Sequence, residues 1–267
     1  MKHATRSILA VAIASAALVH ATAAEASAWT LPKGKGQVLV TGVYSHSDRG
    51  FDANGRTIDI PDYDKQEVYV LGEYGVTDDL TLIAAPSFRH VGIQGATDDT
   101  TGLGYTELGG RYRLTSGSRW VGSLQATARI PGTRRRDALA QVGSTDAEYD
   151  VRALGGASFV IGRMAGFVDL EGGYRVRAGD PPNEFRADAT LGIRPAKRVL
   201  LYTSVSNSWS DGAGKGVFKA YRYHNAFLNA AYDLNDRWSL QLGGLATVGG
   251  ENALRERGGT GGLWFRF

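Results

Sequence analysis

Seven carboxylates, Glu67, Glu73, Glu107, Asp169, Glu171, Glu184 and Asp188, and seven arginines, Arg89, Arg111, Arg113, Arg129, Arg152, Arg175 and Arg186, stand at alternate positions of alternating stretches. If those positions face one enclosed space, two kinds of chemistry follow. Rows of both signs across a narrow pathway set up a transverse field that orients a passing solute. The same rows can instead pair with one another and fill the interior, because buried charges must be paired. Both readings stay open from the sequence.

Covalent chemistry has fewer means. The chain has no cysteine, which removes disulfides, thiolate metal sites and thiol nucleophiles. A lipid-modifying barrel hydrolase would need a serine, a histidine and an acid or amide within hydrogen-bond reach. Beyond residue 26 the histidines are His46, His90 and His224. His90 shares a register with Phe88, whereas Ser87 points the other way; His224 stands beside Asn225 with no serine within three positions. Any partner would have to come from a neighbouring strand.

Residues 212–216, GAGKG, lack the spacing and the Ser/Thr of a phosphate-binding loop. Asp52-Ala-Asn-Gly55, among Asp48, Asp59, Asp62 and Asp64, departs from a calcium loop at its later ligands. It is read as solvated loop charge, or a loose divalent-cation site shared with lipopolysaccharide. Arg134-Arg-Arg136 is read as an ordinary charged loop, or a clamp for lipid phosphates. No enzyme, cofactor or metal is expected.

The elements that position these charges repeat every two residues. Val168, Leu170, Tyr174 and Val176 share one face, and Asp169, Glu171, Arg175 and Arg177 the other. Phe185, Ala187, Ala189, Leu191 and Ile193 likewise oppose Glu184, Arg186, Asp188 and Thr190. Such segments run to about ten to fourteen residues, longer than the ~5–6 of soluble strands and enough for the ~9–11 that cross a bilayer obliquely. Short polar connections at 77–79, 115–118, 162–164, 195–198 and 235–237 alternate with longer ones at 48–62, 92–101, 131–144, 179–182, 210–217 and 249–257. Eleven connections imply twelve strands, the pattern of an all-β transmembrane antiparallel up-and-down β-barrel.

Aromatic placement agrees. Tyr74, Tyr112 and Tyr232 precede short turns and Trp120 and Trp238 follow them, all in the apolar register, as an interfacial girdle requires. The chain ends Leu263-Trp-Phe-Arg-Phe267, with Leu263, Phe265 and Phe267 in one register. This is similar to the terminal signature of bacterial outer-membrane barrels, which implies recognition of Phe267 by the barrel assembly machinery.

At the other end, Lys2 and Arg6 precede an apolar run and small residues at Ala23, Ala26 and Ala28, the layout of a secretory signal peptide. A cut after Ala26 is expected, leaving residues 1–26 as signal and 27–267 as the barrel. The cut removes Lys2, Arg6 and Glu25 from 30 basic and 27 acidic residues, so the mature chain is nearly neutral and its charge selects no nucleic-acid partner. The 36 glycines fall within strands, at Gly72, Gly109, Gly110, Gly155, Gly156, Gly172, Gly173, Gly243 and Gly244, as much as in loops, and are read as curvature.

Residues 102–114, GLGYTELGGRYRL, resemble the "GxGD…lg.kYrl" strand of the outer-membrane transporters associated with the phenol meta-cleavage pathway, with Tyr105 where that family often has Asp. The turns YGVTDDLTL and YDLNDRWSL are similar to its strand–turn–strand units. The resemblance implies an outer-membrane location and movement of small, often aromatic, molecules; it supplies no catalytic residues. The expectation is a passive channel or transporter among outer-membrane lipid and lipopolysaccharide. The hydrolase, and a plugged structural or surface-binding barrel, stand as alternatives.

Overall fold

The computed structural model describes residues 27–95, 99–133 and 146–267. The expected signal peptide and the Arg134–Arg136 loop lie outside them. Thirteen strands follow in chain order: β1 (Gly36–Phe51), β2 (Thr57–Gly75), β3 (Leu80–Ile93), β4 (Thr100–Ser116), β5 (Trp120–Ile130), β6 (Glu148–Ile161), β7 (Met164–Arg177), β8 (Glu184–Ala196), β9 (Val199–Ser210), β10 (Arg222–Asp233), β11 (Trp238–Glu251), β12 (Ala253–Leu254) and β13 (Arg257–Arg266). Twelve are long, and β12 is a two-residue extension paired with the far end of β1. Each long strand pairs antiparallel with its sequence neighbour, and β1 pairs with both β2 and β13. The sheet therefore closes and leaves no edge, which hydrocarbon demands because it offers unpaired backbone groups no partner.

Every long strand turns apolar side chains outward, from Val40 on β1 through Leu170 on β7 to Leu228 on β10, which is 70% exposed. Such a band on a closed barrel is the surface a bilayer covers. Tyr74, Tyr112, Trp120, Tyr232 and Trp238 are all exposed at the end that carries the short turns, as a girdle requires. Phe267 closes that end: its N–H donates to Gly36 O at 2.9 Å, and Gly36 N–H donates back at 3.0 Å.

Strands exceed the expected lengths at the other end. β2 has 19 residues and β1 has 16, so the connection expected over 48–62 shrinks to 52–56. The connection expected over 249–257 is likewise mostly strand. The reason is electrostatic. Beyond the bilayer both faces of a hairpin can be polar, so the alternation that marks a strand disappears while pairing continues through ion pairs such as Arg49–Asp59 at 3.6 Å. Asp52 caps the β1–β2 turn, its Oδ1 accepting from the N–H groups of Asn54 and Arg56 at 2.8 Å each. Those two backbone donors, Arg56's first, hold its carboxyl below the usual range.

The wall begins at Gly36, and residues 27–33 enter the barrel from the short-turn end. Thr30 Oγ1 donates to Asp78 O at 2.7 Å and Leu31 N–H to Thr81 Oγ1 at 2.8 Å. Further in, Arg111 Nη1 donates to Trp29 O at 2.9 Å, and Ser123 Oγ donates to Ala28 O at 2.6 Å. Ala28 is fully buried with Val121 and Leu154, and Trp29 packs against them. Gly156 makes this possible: a Cβ there would collide with the indole of Trp29. Gly156 is thus a seat for the inner segment.

Candidate functional site: the barrel lumen

The inner faces of β2 to β8 hold most of the charges; a smaller group, Asp233 with Arg194 and Arg266, reaches β10 and β13. Arg89 Nε meets Glu67 Oε1 at 2.7 Å, and Arg111 Nη2 meets Glu73 Oε1 at 3.0 Å. Arg111 also takes Gln125 Oε1 at 3.0 Å, and Gln37 Nε2 donates to Glu73 Oε2 at 2.5 Å. Higher up, Arg129 bridges Glu107 at 3.5 Å and Glu148, while its guanidinium lies 4.4 Å from the centre of the Tyr105 ring. Arg152 gathers three acids: Asp150 at 2.6 Å, Glu171 at 3.0 Å and Asp188 at 2.6 Å.

Arg175 binds Asp150 at 3.0 Å and Glu184 at 3.4 Å. Glu184 also takes Arg177 at 3.1 Å, Arg186 at 3.6 Å and the hydroxyl of Tyr221. Burial, and then the Glu184 carboxylate, push the Tyr221 phenol well above its ordinary pKa. Arg113 sits apart at the short-turn rim, on Asp79 at 2.7 Å. Asp169 also differs from the others: it is 1% exposed and accepts the backbone N–H of Ala28 at 2.7 Å.

Neighbouring strands explain the pairing. Glu67 and Arg89 are direct cross-strand partners, as are Glu107 and Arg129, and Asp150 and Arg175. Antiparallel partners lie within reach of long side chains, so each register turns two alternations into an ion pair. Glu148 and Asp150 were missed in the sequence because they open β6 directly after the long 131–144 connection. Their signal was the alternation of Glu148, Asp150 and Arg152 with Tyr149 and Val151. The inner placement of residues 27–33 had no comparable signal beyond the apolar Trp29 and Leu31 ahead of the first strand.

From β9 through β1 the inner face changes character. Trp264 Nε1 donates to Gln241 Oε1 at 3.1 Å, and Gln241 Nε2 donates to Asn229 Oδ1 at 3.1 Å. Thr260 Oγ1 donates to the same oxygen at 3.2 Å. The chain of neutral groups spans β10, β11 and β13. Beside it lies a cavity of about 330 Å³, lined by Leu39, Val43, Leu71, Tyr202 and Phe227 on apolar positions and by Glu73, Arg111, Asn229 and Gln241 on polar ones. Ser27 of the inner segment borders it.

The histidines face elsewhere. His90, on the outer surface, has Nδ1 2.7 Å from Thr101 Oγ1 and Nε2 3.7 Å from Asp99 Oδ2. The cross-strand partner is thus a threonine rather than a serine. His224 Nδ1 lies 2.8 Å from Asn207 Oδ1, and His46 Nδ1 lies 3.1 Å from Asp64 Oδ1. The acidic stretch around Asp52 disperses: Asp48 pairs with Arg257 at 3.3 Å, Asp59 with Arg49, and Asp64 with Tyr44 and His46. Among the described residues no group of three or more His, Cys, Asp or Glu is arranged to hold a metal.

No family model matches the chain, and no curated protein does. Solved structures do. An outer membrane channel from Pseudomonas putida F1 superposes with a TM-score of 0.74 at 17% identity, over 90% of this chain and 98% of that one. The translocator domain of the autotransporter NalP from Neisseria meningitidis gives 0.52 at 13% identity, over 98% of each chain. The KdgM porin, solved with disordered oligogalacturonate, gives 0.50 at 10% identity, over 86% of this chain and 99% of that one. At these identities the likeness speaks to architecture alone. The chain has the fold of outer-membrane β-barrels, twelve long antiparallel strands closed on themselves.

Proposed function

We propose that the protein is an outer-membrane channel for passive passage of small molecules, including aromatic or hydrophobic solutes that carry a polar end. The observation that carries this reading is the cavity beside the neutral wall. Leu39, Val43, Leu71, Tyr202 and Phe227 offer an apolar and aromatic surface, while Asn229 and Gln241 offer hydrogen bonds without fixed charge. Aromatic faces with a few polar groups are the usual lining of small-molecule sites. Opposite the cavity, the acids and arginines of the charged wall are largely taken up in ion pairs with one another. The outer-membrane channel that shares the fold supports the reading.

Phe267, half exposed beside the closing strand, is the group we assign to the barrel assembly machinery. The apolar outer band is assigned to membrane lipid and the polar far rim to lipopolysaccharide. The test is uptake into vesicles holding purified protein, comparing an ionised hydroxybenzoate, which lipid excludes, with a pentose of similar size. Faster hydroxybenzoate entry, slowed by Phe227→Glu, is expected; entry no faster than into protein-free vesicles overturns the reading. The hydrolase alternative has one favouring observation, the contacts of His90 with Thr101 and Asp99. Ester hydrolysis by purified protein that is lost in His90→Ala would establish it in place of transport.

A further inference from the structure

Asp169 is buried to 1% exposure, and among the described residues no basic side chain comes within ion-pair distance of it. Every other acid of the inner arginine rows has a guanidinium. The Arg111 guanidinium acts on Asp169 only from beyond that distance, and one backbone N–H does not neutralise a buried carboxylate. The donor it has, Ala28 N–H at 2.7 Å, belongs to the residue after Ser27. Successive backbone nitrogens are at most about 4 Å apart, which puts the Ser27 nitrogen within about 7 Å of the Asp169 carboxylate. Ser27 itself borders the lumen cavity. Ala28 is fully buried, with its carbonyl taken by Ser123 Oγ at 2.6 Å.

From this geometry we propose that the chain is processed between Ala26 and Ser27, and that the new α-ammonium of Ser27 is the missing cation for Asp169. The processing step is hydrolysis by a leader peptidase. Water adds across the Ala26–Ser27 amide, the C–N bond breaks, Ala26 keeps the carboxylate, and the released amine takes up a proton. Before the cut the Ser27 nitrogen is a neutral amide; after it, a charge suited to a buried carboxylate. Cleavage after Ala28 would remove the donor that Asp169 uses and the carbonyl that Ser123 holds. The carboxylate is therefore a receptor for the chain's own mature end, and the charge released by processing adds to the contacts that seat residues 27–33 inside the lumen.

The test is amine acylation of the exported protein in detergent, read by peptide mass spectrometry. The first peptide should start at Ser27. A succinimidyl ester should acylate that amine at least about tenfold more slowly in the folded protein than in Asp169→Asn, because an ion-paired, buried ammonium keeps its proton. Asp169→Glu, which retains the carboxylate, should keep the slow rate and serves as the informative variant if Asp169→Asn does not fold. A mature end other than Ser27 overturns the proposal. So does fast acylation of Ser27 in the folded wild type or in Asp169→Glu, or equally slow acylation in folded Asp169→Asn.

Discussion

Two walls face each other across this lumen, and they are built on opposite principles. On β4 to β8, Arg129, Arg152, Arg175, Arg177 and Arg186 share Glu107, Glu148, Asp150, Glu171, Glu184 and Asp188, so that most ions serve two or three others. Opposite, β9 to β11, β13 and β1 use Tyr202, Phe227, Asn229, Gln241, Thr260 and Leu39. The charged wall is interlocked, because removing one ion strands several others at buried positions. Beside the cavity the neutral wall is held by hydrogen bonds between uncharged groups, and its charges, Asp233 with Arg194 and Arg266, gather at the short-turn end. Strength is concentrated on one side and accessible space on the other.

The sharpest way to break this contrast is Glu184→Ala. It leaves Arg175, Arg177 and Arg186 each short of an acceptor and should cost about 3–5 kcal/mol, read from denaturant unfolding in detergent. A loss below about 1 kcal/mol would show that the network is solvated and the wall not distinct. Gly156→Val tests how the charged side is filled below the network. It should expel the Trp29 indole and cost about 1–3 kcal/mol, with a red-shifted Trp29 emission against a reference in which the other tryptophans are replaced.

On the neutral wall, Asn229→Leu leaves Gln241 Nε2 and Thr260 Oγ1 without their acceptor. The expected loss is about 1–3 kcal/mol, and smaller than for Glu184→Ala in the same assay. Arg49→Ala sets the floor. Its partner Asp59 has a side chain 94% exposed, so the change should cost under about 1 kcal/mol and less still at high salt. If Arg49→Ala cost as much as Glu184→Ala, burial would not be what separates the two kinds of pair.

Much of the wall was legible because a strand in lipid must alternate, and alternation survives in a single sequence. Twelve strands, the outward Tyr74 and Trp120 and the inward Arg175 and Glu184 all follow from period and punctuation. Partner choice did not follow. Arg111 joins Glu73 rather than Glu107, and Arg152 takes three acids, because hairpin register and strand stagger decide which heights coincide. The far ends of β1 and β2 carry no strand signal, because polar residues on both faces erase the alternation once the chain leaves the bilayer. The seating of residues 27–33 was invisible for a further reason. A short segment held by Ser123, Thr81, Arg111 and the space over Gly156 depends on contacts far away in sequence, and it has no period of its own.

Whether the lumen conducts beside that inner segment is decided by single-channel recording in planar bilayers, comparing the full mature chain with a chain lacking residues 27–33. Small current steps for the full chain and markedly larger ones for the shortened chain are expected, since the segment occupies the lumen beside the cavity. No current from either protein, with both folded, would contradict the channel and leave a closed barrel with a different task.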